Sequence, residues 1–430
     1  MRSDPSAASL SSYPRSIRCA EVLASARSGG LGILMSAGLR VSVDDGSARY
    51  AALVRAVRPH LSEWAACGSE SELGRRSSYR HSQPAVQQLL STVDVGSYGR
   101  HTEPQRAAYR VLSWNLQRGI ELDGQIEAFR THPYLRTSDV LLLSETDVGM
   151  ARSGNRAVAQ TLARELHMHY AFVPSHLNLT KGSGLERHSP GENEVGVEGN
   201  AVLSRYPIRG ARRVALPKRT DTVAGADKRV GTEAAVAVIV EFPNLRLLAV
   251  AIHLSARSTR RHRREQMQEV LLQTVGTGQA VLGGDWNTTT TDTSGGYRAS
   301  LIALRATMGI DRLIRRHYVS PDRRFEKGLF ALVERHGFDY RACNQLGEPT
   351  VYYDVDDRRA SGALRDWVPS WCFALISWGL RNHGGRCPLR LDWFATRGLS
   401  CRDPIVLHDL PGPRGARLSD HDPIGMDILA

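Results

Sequence analysis

Strands alternating with helices predict an α/β or α+β fold for this chain of 430 residues. Three observations carry the prediction. Short apolar runs bounded by turn residues recur from residue 109 onward, and helical patterns lie between them. The two longest runs, 234–241 and 245–254, flank Phe242-Pro243-Asn244, a hairpin turn, so the sheet is at least partly antiparallel.

The expected strands are 110–114, 140–144, 201–204, 234–240, 245–254, 280–282, 389–395 and 424–428. The run 245–254 is nearly all apolar and is expected to be buried on both faces. A helix is expected over 156–168, where Val158, Leu162 and Leu166 recur four apart. A second spans 260–275, with Met267, Val270, Leu271, Thr274 and Val275 on one face. A third spans 325–336, where Leu329, Leu332 and Val333 come together.

Residues 1–105 differ in texture, being rich in Ser, Ala, Gly and Arg. Helices are expected near 47–66 and 84–93, with Pro59 interrupting the first. The expected division is a partly helical or disordered extension over 1–105 and a main domain over 106–430. The first 40 residues are Ser- and Arg-rich and acid-poor, like an organellar transit peptide. The plainer reading is a disordered extension, or a start codon assigned too far upstream. A cytoplasmic monomer is expected, with an organellar or secreted location if this segment is a targeting peptide.

Composition narrows the classes. Hydrophobic residues make up 41% and charged residues 23%, which excludes a wholly disordered chain. No apolar stretch approaches the 18 or so residues a membrane-spanning helix needs. Six cysteines without a Cys-x-x-Cys pair are too few for a disulfide scaffold, although the spacing leaves a Cys387–Cys401 bridge open. Dinucleotide, P-loop and serine-hydrolase signatures are absent from the sequence. The formal charge is +12, and 52 of the 56 basic residues are arginine. Such a balance suits anionic partners, and it is equally the mark of a GC-rich genome.

Polar residues stand at the ends of the apolar runs: Asn115 and Gln117, Glu145, His253, Asp285 and Asn287, and Asp420 with His421 before the last run. Asp392 lies inside another run. Carboxylates at buried strand ends need a cation or a ring of hydrogen bonds, because burying an unpaired charge is costly. Taken singly, each has a plain reading as a rim salt bridge, an Asx turn, a helix cap or a satisfied core histidine.

Their order along the chain resembles the endonuclease/exonuclease/phosphatase superfamily, which includes DNase I-like enzymes, apurinic endonucleases, neutral sphingomyelinases and inositol 5-phosphatases. The matching stretches are Ser113-Trp114-Asn115-Leu116-Gln117, Leu143-Ser144-Glu145-Thr146-Asp147, Gly199-Asn200-Ala201-Val202-Leu203-Ser204, Ile252-His253-Leu254, Gly284-Asp285-Trp286-Asn287, Leu391-Asp392-Trp393-Phe394 and Leu418-Ser419-Asp420-His421. They span residues 109–430. The resemblance implies a four-layer sandwich of two mixed, largely antiparallel sheets flanked by helices, with the site in a cleft at one edge.

Mg²⁺ takes hard oxygen ligands, one or two of them carboxylates. Glu145 is the best candidate, with Asn115 and Asp420 assisting, and the resemblance points to the same residues; Mn²⁺ is a possible substitute. Asp285 and Asn287 share a face at i, i+2. By resemblance, Asp285 orients or activates the attacking water and Asn287 stabilises the pentacovalent state. His421 contacts the scissile phosphate with its tautomer fixed by Asp392, His253 supplies a second imidazole, and Asn200 lines the cleft. One departure stands out: Gln117 occupies a position where the DNA-repair members carry a carboxylate, which favours one metal over two. Arg260 and Arg261, at the start of the 260–275 helix, are candidate contacts for substrate phosphate or lipid headgroups; a solvated Arg-rich face is the plain alternative. Arg263 with Gln266 matches a family helix pattern and is expected to be structural.

The sequence therefore points to a Mg²⁺-dependent phosphoesterase, first as a phosphodiesterase acting on nucleic acid or phospholipid. A phosphomonoesterase on phosphoinositides or sugar phosphates is the alternative, and a silent nucleic-acid or phospholipid-binding module is the reading from another class. The long 288–388 segment, with its aromatic stretch 367–373 and acidic run 354–357, is a candidate substrate-selecting loop.

Overall fold

The structure, a computed structural model, describes residues 46–99, 103–256, 258–290, 310–354, 374, 377–412, 415 and 417–429. The transit-peptide-like residues 1–40, the aromatic stretch 367–373 and acidic residues 355–357 lie outside them. Among the described residues four helices come first: α1 (Gly46–Val57), α2 (Leu61–Ala65), α3 (Glu70–Arg75) and α4 (Ser77–Ser91). Pro59 lies in the 3-10 turn Arg58–His60 that separates α1 from α2. Then follow β1 (Asp94–Ser97), β2 (Ala108–Arg118), α5 (Leu122–Thr131), β3 (Val140–Val148), α6 (Val158–Glu165), β4 (His169–Asn178), β5 (Val197–Ser204), β6 (Ile208–Ala215), β7 (Arg229–Gly231), β8 (Ala234–Glu241) and β9 (Arg246–His253). The chain continues with α7 (Arg260–Leu272), β10 (Ala280–Asp285), α8 (Ile310–Leu313), α9 (Lys327–Arg335), β11 (Val351–Asp354), β12 (Arg386–Leu389), β13 (Asp392–Arg397), β14 (Ser400–Val406) and β15 (Ile424–Leu429).

The strands form two large mixed sheets and one hairpin. The first sheet runs β1-β4-β5-β3-β2-β15-β14, with β7 added to β4; the second runs β13-β10-β9-β8-β6; β11 pairs with β12. Only β2–β3 and β9–β10 are parallel among the described ladders. The fold is the four-layer arrangement expected, and the period-2 alternation of the strands explains it. Val111, Val140 and Leu142 of the first sheet meet Val236, Val238, Ala249 and Ala251 of the second in the central core. Their neighbours Leu112, Trp114, Leu141 and Leu143 turn outward onto Trp64, Val86, Phe129 and Leu162 of the helices. On the far side Leu248, Val250 and Ile252 pack on Met267, Val270, Phe330 and Val333 of α7 and α9. β9 is thus buried on both faces, as its composition predicts. Each fully buried aliphatic side chain contributes roughly 1.5–3 kcal/mol.

Several elements depart from expectation. The 260–275 helix ends at Leu272, so Val275 falls beyond it and is 70% exposed. The 389–395 run is not one strand but the end of β12 and most of β13, separated at Arg390 and Leu391. The helix expected at 84–93 is longer, with Pro84 inside it. β4 escapes the sequence because Pro174 interrupts it; the proline removes one ladder donor, and a bulge between Pro174 and His176 absorbs the loss. β6 and β14 are edge strands with arginines on their open faces, so they lack apolar runs. Cys387 and Cys401 are free thiols.

Candidate active site

Two pairs of parallel strands decide where the polar residues meet. β2 runs beside β3, and β9 beside β10, so each pair ends at one edge of its sheet. Asn115 and Glu145 leave the first sheet there. In the second sheet His253 is in register with Asp285, and Asp285 is in register with Asp392 on its other side. Three functional groups therefore stand in a row across β9, β10 and β13. Gly284 permits the row: its φ is +143°, and a Cβ there would lie 1.9 Å from the Ile252 carbonyl oxygen.

Bulges aim the residues of the first sheet. The β2–β3 ladder shifts between Asn115 and Arg118, and the β3–β5 ladder between Leu143 and Thr146. Gln117, Arg118 and Glu145 adopt φ of 47°, 65° and 51°. Left-handed backbone costs a non-glycine residue on the order of 1–3 kcal/mol, and such residues cluster at functional sites.

His421 arrives on the loop before β15. Trp114 Nε1 donates to its carbonyl at 2.9 Å, its own N–H donates to Ser419 Oγ at 3.1 Å, and Ser419 Oγ donates to the Asn115 carbonyl at 2.6 Å. Gln125 Nε2 from α5 donates to the carbonyls of Leu116 and Leu418 at 2.9 and 2.8 Å. These bonds fasten the loop to the end of β2.

The side chains then converge. His421 Nδ1 bonds Asp392 Oδ2 at 2.8 Å, and Thr350 Oγ1 donates to the same oxygen at 2.7 Å. His421 Nε2 faces Asp285 Oδ2 at 3.7 Å, and His253 Nε2 lies 3.6 Å from that oxygen. Asp285 Oδ1 accepts from the Asn287 N–H at 2.9 Å, and Oδ2 accepts from Asn115 Nδ2 at 3.2 Å. Asn287 Nδ2 donates to the Leu254 carbonyl at 2.8 Å. Asn200 Oδ1 accepts from the Glu145 N–H at 3.3 Å while its Nδ2 donates to the Ala234 carbonyl, which fixes the turn that presents Glu145. The Glu145 carboxylate is 3.9 Å from both His253 Nε2 and Arg118 Nε, beyond hydrogen-bonding range of either.

Electrostatics sort these groups. Burial opposes a charged His421 ring, but Asp392 and Asp285 outweigh it and push its pKa well above that of an ordinary imidazole. Burial pushes Asp285 up to about 6 despite the nearby His421. Burial works against ionisation of Glu145 too, yet Arg118 and His253 hold it below the usual carboxylate range. His253 is raised by Glu233, Asp285 and Glu145 against the effect of burial, and Asp420 is raised by burial. Near neutral pH the site thus holds an ionised Asp285 beside a protonated His421.

A cavity of about 440 Å³ opens beside Glu145, lined by Gln117, Arg118, Glu145, His253 and Asp420 among others. Part of its wall is an ion network the sequence did not reveal. Arg152, with a side chain 1% exposed, makes a two-pronged contact with Asp147 at 2.9 Å for each prong, and reaches Glu198 at 2.8 Å and Glu186 at 3.2 Å. Arg118 Nη1 pairs with Glu186 at 2.6 Å. Asp147 in Ser-Glu-Thr-Asp was its one visible end. Thr350 and Gln125 gave no signal, because each is an isolated polar residue whose partners lie on distant elements.

Arg260 and Arg261 are not among the residues lining the cavity. Arg260 Nη1 donates to the Phe325 carbonyl at 3.2 Å with its guanidinium over that ring, and Arg261 pairs with Glu265 at 3.1 Å. Arg263 is fully buried, paired with Glu326 and bonded to the Thr290 carbonyl at 2.9 Å, a structural anchor for α7.

Comparison with known proteins returns one family model, described as the Endonuclease/Exonuclease/phosphatase family, which matches residues 112–421. No curated protein matches the chain. Among solved structures, an endonuclease/exonuclease/phosphatase from Beutenbergia cavernae is 17% identical, with 75% of this chain and 72% of that one covered and a TM-score of 0.45. A family protein from Leptotrichia buccalis is 13% identical over 75% and 100% of the two chains, TM-score 0.44. A 3'-5' exonuclease from Neisseria meningitidis is 14% identical over 75% and 100%, TM-score 0.41.

Proposed function

The chain belongs to the endonuclease/exonuclease/phosphatase family, a family of phosphoester hydrolases, and we propose from that premise that it hydrolyses phosphodiester bonds by Mg²⁺-assisted attack of water. The observation that carries this reading is the convergence of Asp285, Asp392 and His421, whose ligating atoms all lie within 4.8 Å of one another.

The contacts support a role for each residue. Asp285, ionised above about pH 6, accepts the proton of the attacking water. Asp392 accepts from Nδ1–H of His421 and keeps the ring charged, so Nε2–H donates to a phosphoryl oxygen. His253 adds a second imidazolium donor. One amide hydrogen of Asn287 is taken by Leu254; the other is left for the phosphoryl oxygens as negative charge builds.

The oxygens of Glu145, Asn115 and Asp420 suit a hard cation. Glu145 is ionised with no hydrogen bond to Arg118 or His253, and Asp420 lines the same cavity. Asp285, Asp392 and His421 are a poorer holder, because the His421 ring is itself cationic. A bound Mg²⁺ supplies neutralisation of charge on the phosphate and the leaving oxygen; Mn²⁺ fits the same donors. Arg260 and Arg261 add positive charge that draws an anionic substrate toward the molecule.

Hydrolysis of bis(p-nitrophenyl) phosphate tests the reading. Activity is expected to require added Mg²⁺, and Glu145→Gln to raise the half-saturating Mg²⁺ concentration about 10-fold or more. An unchanged titration removes Glu145 from the cation's ligands; hydrolysis indifferent to a chelator removes the cation.

A further inference from the structure

The family match begins at residue 112, whereas α1–α4 end at Ser91. This helical segment is nonetheless tied to the cavity. Between β6 and β7 the chain runs through residues 216–228 without regular structure. Lys218, Thr220, Asp221, Thr222, Ala224 and Asp227 of that stretch line the cavity. A wall without ladder bonds takes its shape from the groups that bond to it.

Two contacts from the helices hold this wall. α3 supplies the first. The Glu70 N–H, one of the donors that a helix start leaves unpaired, donates to Asp221 Oδ2 at 2.9 Å. Asp221 Oδ1 in turn accepts from the N–H groups of Val223 and Ala224 at 2.9 and 3.1 Å, so the carboxylate held by α3 also shapes the turn. Glu70 Oε1 accepts from the Thr222 N–H at 2.8 Å and pairs with Lys218. The second contact runs the other way. Lys228 Nζ donates to the carbonyls of Ala65 and Cys67 at 2.7 and 2.6 Å, a cation set against the C-terminal end of α2. Leu73 of α3 and Val223 of the wall are buried in one core. Neither Glu70 nor Lys228 lines the cavity, so each acts on the wall and not on its occupant.

We propose that α1–α4 are a positioning element of the active site. Through Glu70 and Lys228 they hold the 216–228 wall in the shape that receives the substrate, and so set KM while leaving the chemical step to the strand-end residues. The proposal rests on the phosphodiesterase reading for the substrate's place beside Glu145; the attachment of the helices to the wall is independent of it.

The test measures kcat and KM for bis(p-nitrophenyl) phosphate in the full chain, with amide hydrogen exchange across residues 217–229 as a readout that needs no substrate. Glu70→Ala and Lys228→Met each raise KM about 3–10-fold by lowering the fraction of molecules with the wall in place, and leave kcat within about two-fold of wild type. Exchange across 217–229 speeds up in both while the urea midpoint stays close to wild type. Glu70→Gln keeps the acceptor for Thr222 and loses only a partly exposed ion pair, so it restores KM to near the wild-type value. An unchanged KM in both variants, a loss carried by kcat, or no rescue by Glu70→Gln overturns the proposal. If the wild-type protein hydrolyses no ester, the reaction reading fails, and hydrogen exchange decides the attachment. Faster exchange in both variants supports it; exchange equal to wild type overturns it.

Discussion

The strand ends and the network in the cavity wall use buried charge in opposite ways. Around Arg152, each carboxylate has a guanidinium against it, and the Arg152 side chain reaches three of them within 3.2 Å. At the strand ends, Asp285 and Asp392 share His421, and Asp392 Oδ1 is buried without a partner; burial pushes Asp285 up to about 6, as it does Asp147 in the network. The first arrangement sets a guanidinium against every carboxylate and acts as a frame. The second is under-compensated and is completed by what binds it. Arg118 belongs to both, 3.9 Å from Glu145 and from Glu198.

This contrast predicts that substitutions at the strand ends remove activity and leave the fold, whereas substitutions in the network do the reverse. His421→Ala should show the largest effect, a fall in kcat of about 10²–10⁴-fold, with the urea midpoint close to wild type; wild-type turnover would end its assignment. Arg152→Leu leaves several buried carboxylates unpaired and should cost about 3–5 kcal/mol in urea unfolding. A loss under 1 kcal/mol would mean that the network is not a frame. A subtler expectation concerns Asp285 in ion-free protein. Its folded pKa, about 6, lies above the unfolded value of about 3.9. Folding therefore loses stability as pH rises between these values. Asp285→Asn should accordingly raise Tm at pH 7 relative to wild type and not at pH 4; equal shifts at both pH values would contradict the assigned burial cost. The smallest effect is expected at Arg260 and Arg261. Charge reversal there should raise KM only a few-fold at low salt and flatten its salt dependence, as for long-range attraction between exposed charges. A change that persists at high salt would indicate direct contact.

The strand-end site was legible in the sequence because its residues stand at, within or just before an apolar run. A strand of alternating or continuous apolar residues reveals its own end, and a carboxylate or imidazole there stands out. Asn115, Glu145, His253 and Asp285 lie at such positions, and the two parallel pairs carry them to the sheet edges, where the loop before β15 adds His421. The network was illegible for the opposite reason. Arg118, Arg152, Glu186 and Glu198 come from strand termini and short turns where any charged residue reads as surface. A bulge that a sequence does not mark precedes Arg118, and the short turns Ala151–Ser153 and Gly184–His188 carry Arg152 and Glu186 to their partners. Thr350 was hidden in the same way: a lone threonine after proline becomes a hydrogen-bond donor to Asp392 only when β11 reaches the His421 loop. In the fold, the strands that bury alternate faces were found, while β4 was lost to one proline and the arginine-rich edges to their polarity.

The central claim is that Asp285, set between His253 and His421, drives water onto a phosphate ester. The direct test is the rate of bis(p-nitrophenyl) phosphate hydrolysis by Asp285→Asn beside wild type at saturating Mg²⁺ and pH 7.5. A fall of about 10²-fold or more in a folded protein is the predicted result; hydrolysis at the wild-type rate would contradict it.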